Sequence, residues 1–192
     1  MEQASRIPLL SIEDSRKAAE AAGVPEQLAV LNIFRVLLHQ PAVAKAASDL
    51  LLSLLFRSKL DDRLREFVIM RIGWVTACDY EWTQHWKIAQ ESFALRPEEL
   101  LAVRDWRAAE CFDERDRAVL AATDETLETG TLSAQSWAHL EALLGSPVEL
   151  LELVASIATW RLISQLARSI AIPLEEGVAS WPPQGLAPPE PA

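Results

Sequence analysis

The chain has 192 residues, half of them hydrophobic, and a formal net charge of −10 at pH 7. This length is typical of one domain with a real core, and this hydrophobic content excludes a disordered protein over most of the chain. The acidic balance disfavours a nucleic-acid partner, because phosphate binding needs clustered positive charge.

We also expect no secretory leader and no membrane partner. The first ten residues lack a charged segment followed by a long apolar one, and apolar runs such as 50–56, interrupted by Ser53, are too short to cross a bilayer. The two cysteines, Cys78 and Cys111, are too far apart in sequence for a disulfide framework or a paired zinc motif. These features predict a soluble cytoplasmic protein.

Capping residues and prolines divide the chain into helices, and no stretch alternates convincingly as a strand would. The fold class is therefore all-α, with about eight helices. In chain order the predicted helices cover residues 11–22, 26–38, 41–56, 61 to about 95 with a break near 76–79, 97 to about 107, 114–129, 134–144 and 147 to about 170.

The last twenty residues differ in composition from the rest. Six prolines fall between Pro173 and Ala192, which predicts an extended or disordered tail. Trp181 lies in this tail, and we expect it to contact a neighbouring chain. The domain prediction is thus one all-α domain over residues 1–172 and a proline-rich tail over 173–192.

Most of the chemistry available to this sequence lies in residues 63–90. Glu66 lies on the first of two helical runs, and Cys78, Glu81 and His85 share one stripe of the second. Side chains three or four positions apart on a helix are neighbours, so Glu81 can touch His85. An acid, a thiol and an imidazole on one face can shift one another's pKa values and move protons.

Several motifs resemble the carboxymuconolactone decarboxylase family, which includes alkylhydroperoxidase D. The resemblance runs from about residue 28 to residue 170 and implies a compact multi-helix bundle of the alkylhydroperoxidase D type that assembles as a homo-oligomer (dimer, trimer or hexamer). It implies no cofactor. The motifs are His39-Gln40-Pro41, Leu60-Asp61-Asp62-Arg63-Leu64-Arg65-Glu66, Tyr80-Glu81-Trp82-Thr83-Gln84-His85, and Trp106 before Phe112-Asp113-Glu114-Arg115.

One position departs from the pattern of the family's peroxidase branch, in which a glutamate precedes a Cys-x-x-Cys-x-x-x-His run. By resemblance, Glu66 matches the relay glutamate, Cys78 the first cysteine and His85 the histidine. Glu81 occupies the place of the second, peroxide-attacking cysteine. The dithiol chemistry of that branch is therefore not available to this chain.

Three functional hypotheses follow. In the first, Glu66 and His85 shuttle protons on a small lactone or carboxylated substrate, and Glu81 orients or charges His85. In the second, Cys78 alone acts as a peroxiredoxin-type peroxidase with an external reductant. In the third, the chain is a non-catalytic oligomeric binding protein.

Each candidate residue also has a structural interpretation. Glu66 is then a buried acid paired with Arg63, Arg71 or a backbone group, His85 a core histidine, and Cys78 a small buried filler.

Two further assignments concern the surroundings of the site. Tyr80 and Trp82 are predicted to line the substrate pocket, although aromatics at helical spacing are also typical of a core or a subunit interface. Glu66, Glu81 and His85 have side chains that can bind a metal, but three such ligands on two helices are common by chance, so no metal site is predicted.

Overall fold

A computed structural model describes residues 5–189, and within this range the chain is entirely helical and loop, without a strand. The all-α prediction is confirmed. Residues 1–4 of the predicted domain and 190–192 of the predicted tail lie outside the described range. A 3₁₀ turn at Val103–Asp105 accompanies ten α-helices: α1 (Ile12–Ala22), α2 (Glu26–Ala29), α3 (Asn32–Leu37), α4 (Pro41–Phe56), α5 (Asp62–Val75), α6 (Asp79–Phe93), α7 (Pro97–Ala102), α8 (Glu114–Thr129), α9 (Ala134–Leu144) and α10 (Pro147–Ile170).

The predicted helix starts agree with the structure because local chemistry fixes them. Ser11, Asp61, Asp113 and Ser133 each accept a hydrogen bond from a backbone N–H of the first helical turn. Such bonds satisfy amide groups that have no partner inside the helix. The glycines that end α1, α8 and α9 have the left-handed conformation expected after a helix.

The prediction of one helix over residues 26–38 is wrong, because α2 and α3 are separate. The break comes at Leu31, whose ψ of 135° is extended. The next residue is held by contacts distant in sequence: the Asn32 backbone N–H donates to Glu175 at 2.8 Å, and its side-chain amide donates to the carbonyl of Pro173 at 3.2 Å. These bonds favour a second helix start at Asn32 over a continuous helix.

The chain groups into two compact units. The first comprises Met1–Arg57 with Gln165–Ala179, and the second comprises Ser58–Ser164 with Ser180–Ala192. All four candidate site residues lie in the second unit. The prediction of a single domain over residues 1–172 stays a prediction.

Helices α5 and α6 carry the candidate site and are joined by only three residues. Ala77 has a φ of 51° in this turn, and the Cys78 N–H donates to the carbonyl of Gly73 at 2.8 Å. A Cβ at Gly73 would lie only 3.0 Å from the backbone nitrogen of Trp82. The absence of a side chain at this glycine therefore allows the close approach of α6 to α5.

The end of the described chain folds back into the core of the second unit. Trp181 is buried, with ring-centroid distances of 6.0 Å to Trp74 and 6.2 Å to Trp82. Its backbone N–H donates to Asp79 at 2.9 Å, and the Trp82 indole donates to the carbonyl of Pro182 at 2.9 Å. The expected contact of Trp181 with a neighbouring chain is thus replaced by packing within its own.

Helix α10 is long and apolar enough to cross a membrane, which the inspection of shorter apolar runs had missed. Half of its most apolar window is buried inside the protein. A core helix of a soluble protein has the same length and composition, and α10 contributes buried side chains such as Leu153, Ile157 and Trp160. Helix α10 therefore contributes to the core of the second unit through these side chains.

Candidate active site

The structure brings together Glu66 and His85, which are nineteen positions apart in sequence. The Glu66 side chain lies on α5 and is completely buried, and its Oε2 lies 2.9 Å from Nδ1 of His85 on α6. The close packing of α5 on α6 places the two side chains opposite each other. A hydrogen bond between a carboxylate and an imidazole in a dry environment is stronger than one exposed to water.

Arg65 supplies a positive charge beside this pair. Its Nη2 lies 3.3 Å from Oε1 of Glu66, and its Nη1 donates to Asp62 at 2.6 Å. The guanidinium also lies over the ring of Phe93, at 4.5 Å from the centroid. These contacts hold a fully buried arginine next to the site glutamate.

The two arginines considered as partners of that glutamate bind other acids instead. Arg63 pairs with Glu99 at 2.9 Å and with Asp116 at 2.5 Å, whereas Arg71 pairs with Asp124 at 2.6 Å. These ion pairs connect α5 with α7 and α8. They stabilise the helix that carries the site without contributing to the chemistry.

Trp160 is a site residue that the sequence analysis missed. It lies on α10, is 1% exposed, and its indole Nε1–H donates to Nε2 of His85 at 3.1 Å. An indole N–H is only a donor, so Nε2 is the accepting nitrogen in this geometry. The other ring nitrogen, Nδ1, then carries the proton and donates a hydrogen bond to Glu66.

Glu81 lies on the same face of α6 as His85, and its Oε2 is 4.0 Å from Nε2 of the histidine. This oxygen is buried and has no hydrogen-bond partner in the described residues. Burial raises the pKa of Glu81 to about 7; the nearby His85 lowers it, and the charge of Glu66 raises it further. The carboxyl group is therefore balanced between its neutral and charged forms near neutral pH.

The pKa of His85 reflects opposing effects. Burial lowers the pKa, but the charge and hydrogen bond of Glu66 more than offset burial, and Glu81 adds to them, so the pKa is raised above its ordinary value of 6.5. Arg65 acts in the lowering direction. The site thus contains two groups whose pKa values are raised by their surroundings, His85 and Glu81.

A family comparison covers this part of the chain. The model of the carboxymuconolactone decarboxylase family matches residues 41–125, which include all four candidate site residues of α5 and α6. Over this segment, the chain is similar to the carboxymuconolactone decarboxylase family, as its motifs predicted. Among curated proteins, none matches the sequence.

Solved structures show the same fold over most of the chain. A peroxidase-related protein from Ralstonia eutropha JMP134, described as an alkylhydroperoxidase AhpD core, has a TM-score of 0.75 at 18% identity and covers 97% of this chain and 100% of its own. A peroxidase-related protein from Silicibacter sp. TM1040 has a TM-score of 0.71 at 14% identity, with 86% of this chain and 85% of its own covered. At such identities the similarity establishes the fold alone.

A third structure with this fold contains a ligand. It is a cysteine-to-alanine variant of the debrominase Bmp8 in complex with 2,3,4-tribromopyrrole, with a TM-score of 0.66 at 17% identity. The alignment covers 86% of each chain. The alkylhydroperoxidase D-type fold predicted from the motifs is thus confirmed.

Cys78, which matches the first cysteine of the family's peroxidase branch, is the N-cap residue of α6 and is 1% exposed. The helix N-terminus carries partial positive charge, which favours a thiolate. Cys111 is exposed, and neither cysteine is in a disulfide. The structure therefore provides a favourable electrostatic position for Cys78 together with restricted access.

The two predicted pocket residues are both buried. Trp82 belongs to an aromatic cluster with ring-centroid distances of 5.4 Å to Trp74 and 6.2 Å to Trp86, and the Arg104 guanidinium lies 4.6 Å from its centroid. Tyr80 is 5% exposed. The structure therefore places Trp82 in the core of the second unit, and a substrate contact of either residue stays a prediction.

The described residues also bear on metal binding. Across residues 5–189, no group of three or more histidine, cysteine, aspartate or glutamate side chains is arranged to hold a metal ion. Glu66 and His85 instead form hydrogen bonds with arginine, with tryptophan and with each other.

Proposed function

We propose that the protein is an enzyme that transfers a proton on a small lactone or carboxylated molecule, with Glu81 as the general acid or base. The observation that carries this proposal is the Oε2 atom of Glu81, which is buried, has no partner in the described residues and belongs to a carboxyl group with a pKa of about 7. A group with a pKa near the working pH is best suited to give and take a proton.

The contacts of His85 support a different role from the one expected from sequence. Both ring nitrogens are engaged, Nδ1 with Glu66 and Nε2 with Trp160, so neither is open to a substrate atom. In this proposal Glu66 and His85 form a buried pair that adjusts the proton affinity of Glu81. The carboxyl group, rather than the imidazole, exchanges the proton with the substrate.

Two observations support a small molecule as the substrate. The family takes its name from an enzyme that acts on a carboxylated lactone, and a structure with this fold holds a small ring, 2,3,4-tribromopyrrole. The site side chains range from fully buried to 8% exposed. A buried carboxyl group of this kind acts in a site from which water is largely excluded, where electrostatic effects on a reacting group are strong.

The test is turnover of a panel of small lactones and carboxylated acids by the wild type and by Glu81→Gln. The amide keeps the shape of the side chain but cannot exchange a proton, so we expect activity to fall by about 10² to 10⁴-fold. Glu91→Gln is the matched control, because Glu91 lies on the same helix with its side chain 66% exposed. Equal activity of the wild type and Glu81→Gln would contradict the proposal.

A second candidate function is supported by the position of Cys78 at the N-terminus of α6 and by the peroxidase-related proteins with the same fold. The thiolate would attack the O–O bond of an organic hydroperoxide, giving a sulfenic acid and releasing an alcohol. An external thiol would then condense with the sulfenic acid, giving a mixed disulfide and water, and a second external thiol would regenerate the Cys78 thiol and leave as a disulfide with the first.

Intact-mass measurement after brief exposure to an organic hydroperoxide tests this candidate. Addition of one oxygen atom that is lost in Cys78→Ser and retained in Cys111→Ser would support it. Oxidation no faster than that of a free thiol would contradict the peroxidase candidate and leave proton transfer as the remaining enzymatic proposal. If the wild type also turned over no member of the lactone and acid panel, a non-catalytic binding protein would be the remaining interpretation.

A further inference from the structure

The hydrogen bond between Trp160 and His85 has a chemical consequence for the site. Trp160 approaches the imidazole from α10, and the two rings meet edge to face with centroids 5.8 Å apart and an interplanar angle of 82°. The indole Nε1–H points at Nε2 of His85 at 3.1 Å. Because an indole N–H cannot accept a hydrogen bond, a proton on Nε2 would place two donors against each other.

We propose that Trp160 is a positioning residue that holds His85 in the tautomer with its proton on Nδ1 and thereby keeps the exchangeable proton of the site on Glu81. The tautomer assignment stands on the geometry alone. The second part rests on the proposed role of Glu81 as the group that exchanges a proton with the substrate.

The groups around His85 favour two competing arrangements. Glu66 and Arg65 face it from α5, Glu81 faces it from α6 and Trp160 faces it from α10. The Glu81 carboxylate lies 4.0 Å from Nε2 and favours a proton on that nitrogen. The indole N–H favours an unprotonated Nε2, whose lone pair accepts its hydrogen bond.

The competition decides where a shared proton resides. If Nε2 is protonated, Glu81 is charged and the indole loses its acceptor. If Glu81 is protonated, the indole hydrogen bond is retained. Trp160 therefore shifts the proton from the histidine towards the glutamate.

The chemistry of the indole makes this bias one-directional. A serine, threonine or tyrosine hydroxyl in the same place could rotate and accept a hydrogen bond from a protonated Nε2. The indole cannot reverse its hydrogen bond, and Trp160 is too tightly packed, at 1% exposure, to move aside easily. Lengthening or losing this bond in a buried site leaves a polar group without a partner, which is unfavourable.

Imidazole nitrogen NMR on isotope-labelled protein reads the tautomer without any substrate. The chain has three histidines, and His39 and His139 are exposed, so the buried His85 is distinguishable from both. In the neutral form of His85, we expect a protonated Nδ1 and an unprotonated Nε2. A neutral form with the proton on Nε2 would overturn the proposal, even if no variant could be prepared.

Trp160→Phe removes the N–H and keeps an aromatic ring. We expect the pKa of His85 to rise by about one unit, a ten-fold gain in proton affinity, and the population of the Nε2-protonated tautomer to increase. Trp106→Phe is the control, because it removes another buried indole N–H, one that donates to Asp124 at 3.0 Å. An unchanged pKa of His85 in Trp160→Phe would refute the inference that Trp160 shifts the shared proton from His85 to Glu81.

The experiment separates this inference from the proposed function. The tautomer and the titration of His85 are measured in the absence of turnover, so an active Glu81→Gln enzyme would refute the catalytic role of Glu81 and leave the tautomer assignment intact. Conversely, a neutral His85 with its proton on Nε2 in the wild type would refute the role of Trp160, whatever the activity of Glu81→Gln.

Discussion

Replacing Glu81 with glutamine should stabilise the folded protein above neutral pH while removing the proposed activity. Glu81 is buried, and one of its oxygens has no hydrogen-bond partner in the described residues. An ionised carboxylate in such a place costs free energy that a neutral amide of the same shape does not. Side chains that serve a reaction at the expense of stability are common in enzymes.

The pKa gives both the size and the pH window of the effect. The pKa of Glu81 is raised from an ordinary value of 4.5 to about 7 in the folded chain. A raised folded-state pKa means that stability is fully present below the unfolded-state value and is lost as the pH rises through the folded-state value. A difference of this size corresponds to roughly 3 kcal/mol.

Urea unfolding of the wild type and Glu81→Gln, at about pH 4.5 and about pH 8.5, measures the effect. We expect similar unfolding free energies at the lower pH and a more stable variant, by roughly 3 kcal/mol, at the higher pH. The folded-state pKa of His85 is also raised, so its contribution to the stability of the folded protein is likewise lost as the pH rises. Both chains contain His85, so the difference between them reports mainly on Glu81.

Glu91→Gln is again the control, because Glu91 is exposed and screened by solvent. Its unfolding free energy should follow the wild type at both pH values. The reasoning is refuted if Glu81→Gln differs from the wild type by the same amount at both pH values, or if it is less stable at the higher one.

Three other substitutions test the surroundings of the site. Glu66→Gln removes the charge that raises the pKa of His85, so NMR titration should show that pKa lower by at least about one unit; an unchanged value would contradict the pairing. Gly73→Ala places a Cβ 3.0 Å from the backbone of Trp82 and should reduce the unfolding free energy in urea by roughly 1 to 3 kcal/mol, whereas a neutral effect would mean that α6 is free to move away. Trp181→Ala should cost roughly 3 kcal/mol in the same assay, and a loss under about 0.5 kcal/mol would show that the tail is not part of the core.

Local chemistry made most helix boundaries predictable from the sequence. Ser11, Asp61, Asp113 and Ser133 start helices through bonds to residues only two or three positions away, and such signals do not depend on the rest of the fold. The failure at residues 26–38 has the opposite cause. There the decisive partner, Glu175, is more than 140 positions away in sequence.

The same distinction applies to the site. Glu81 and His85 are one helical turn apart, so their proximity followed from spacing, and Glu66 followed from a family resemblance. Trp160 lies 75 positions from His85, and nothing in its neighbourhood on α10 marks it as different from a core tryptophan. The role of Trp160 depends on the atom to which its indole N–H donates, and only the three-dimensional structure identifies that atom as Nε2 of His85.

The return of the chain to both units constrains how the protein folds during synthesis. The first unit includes Gln165–Ala179 and the second resumes at Ser180, so the first cannot be complete before residue 179 has been synthesised, nor the second before the segment that follows it. Trp181, which is synthesised after every helix of the second unit, packs in the aromatic cluster beside the N-terminus of α6. A premature stop shortly before this residue would therefore leave the candidate site without its final support, although every residue of the family segment would already be present.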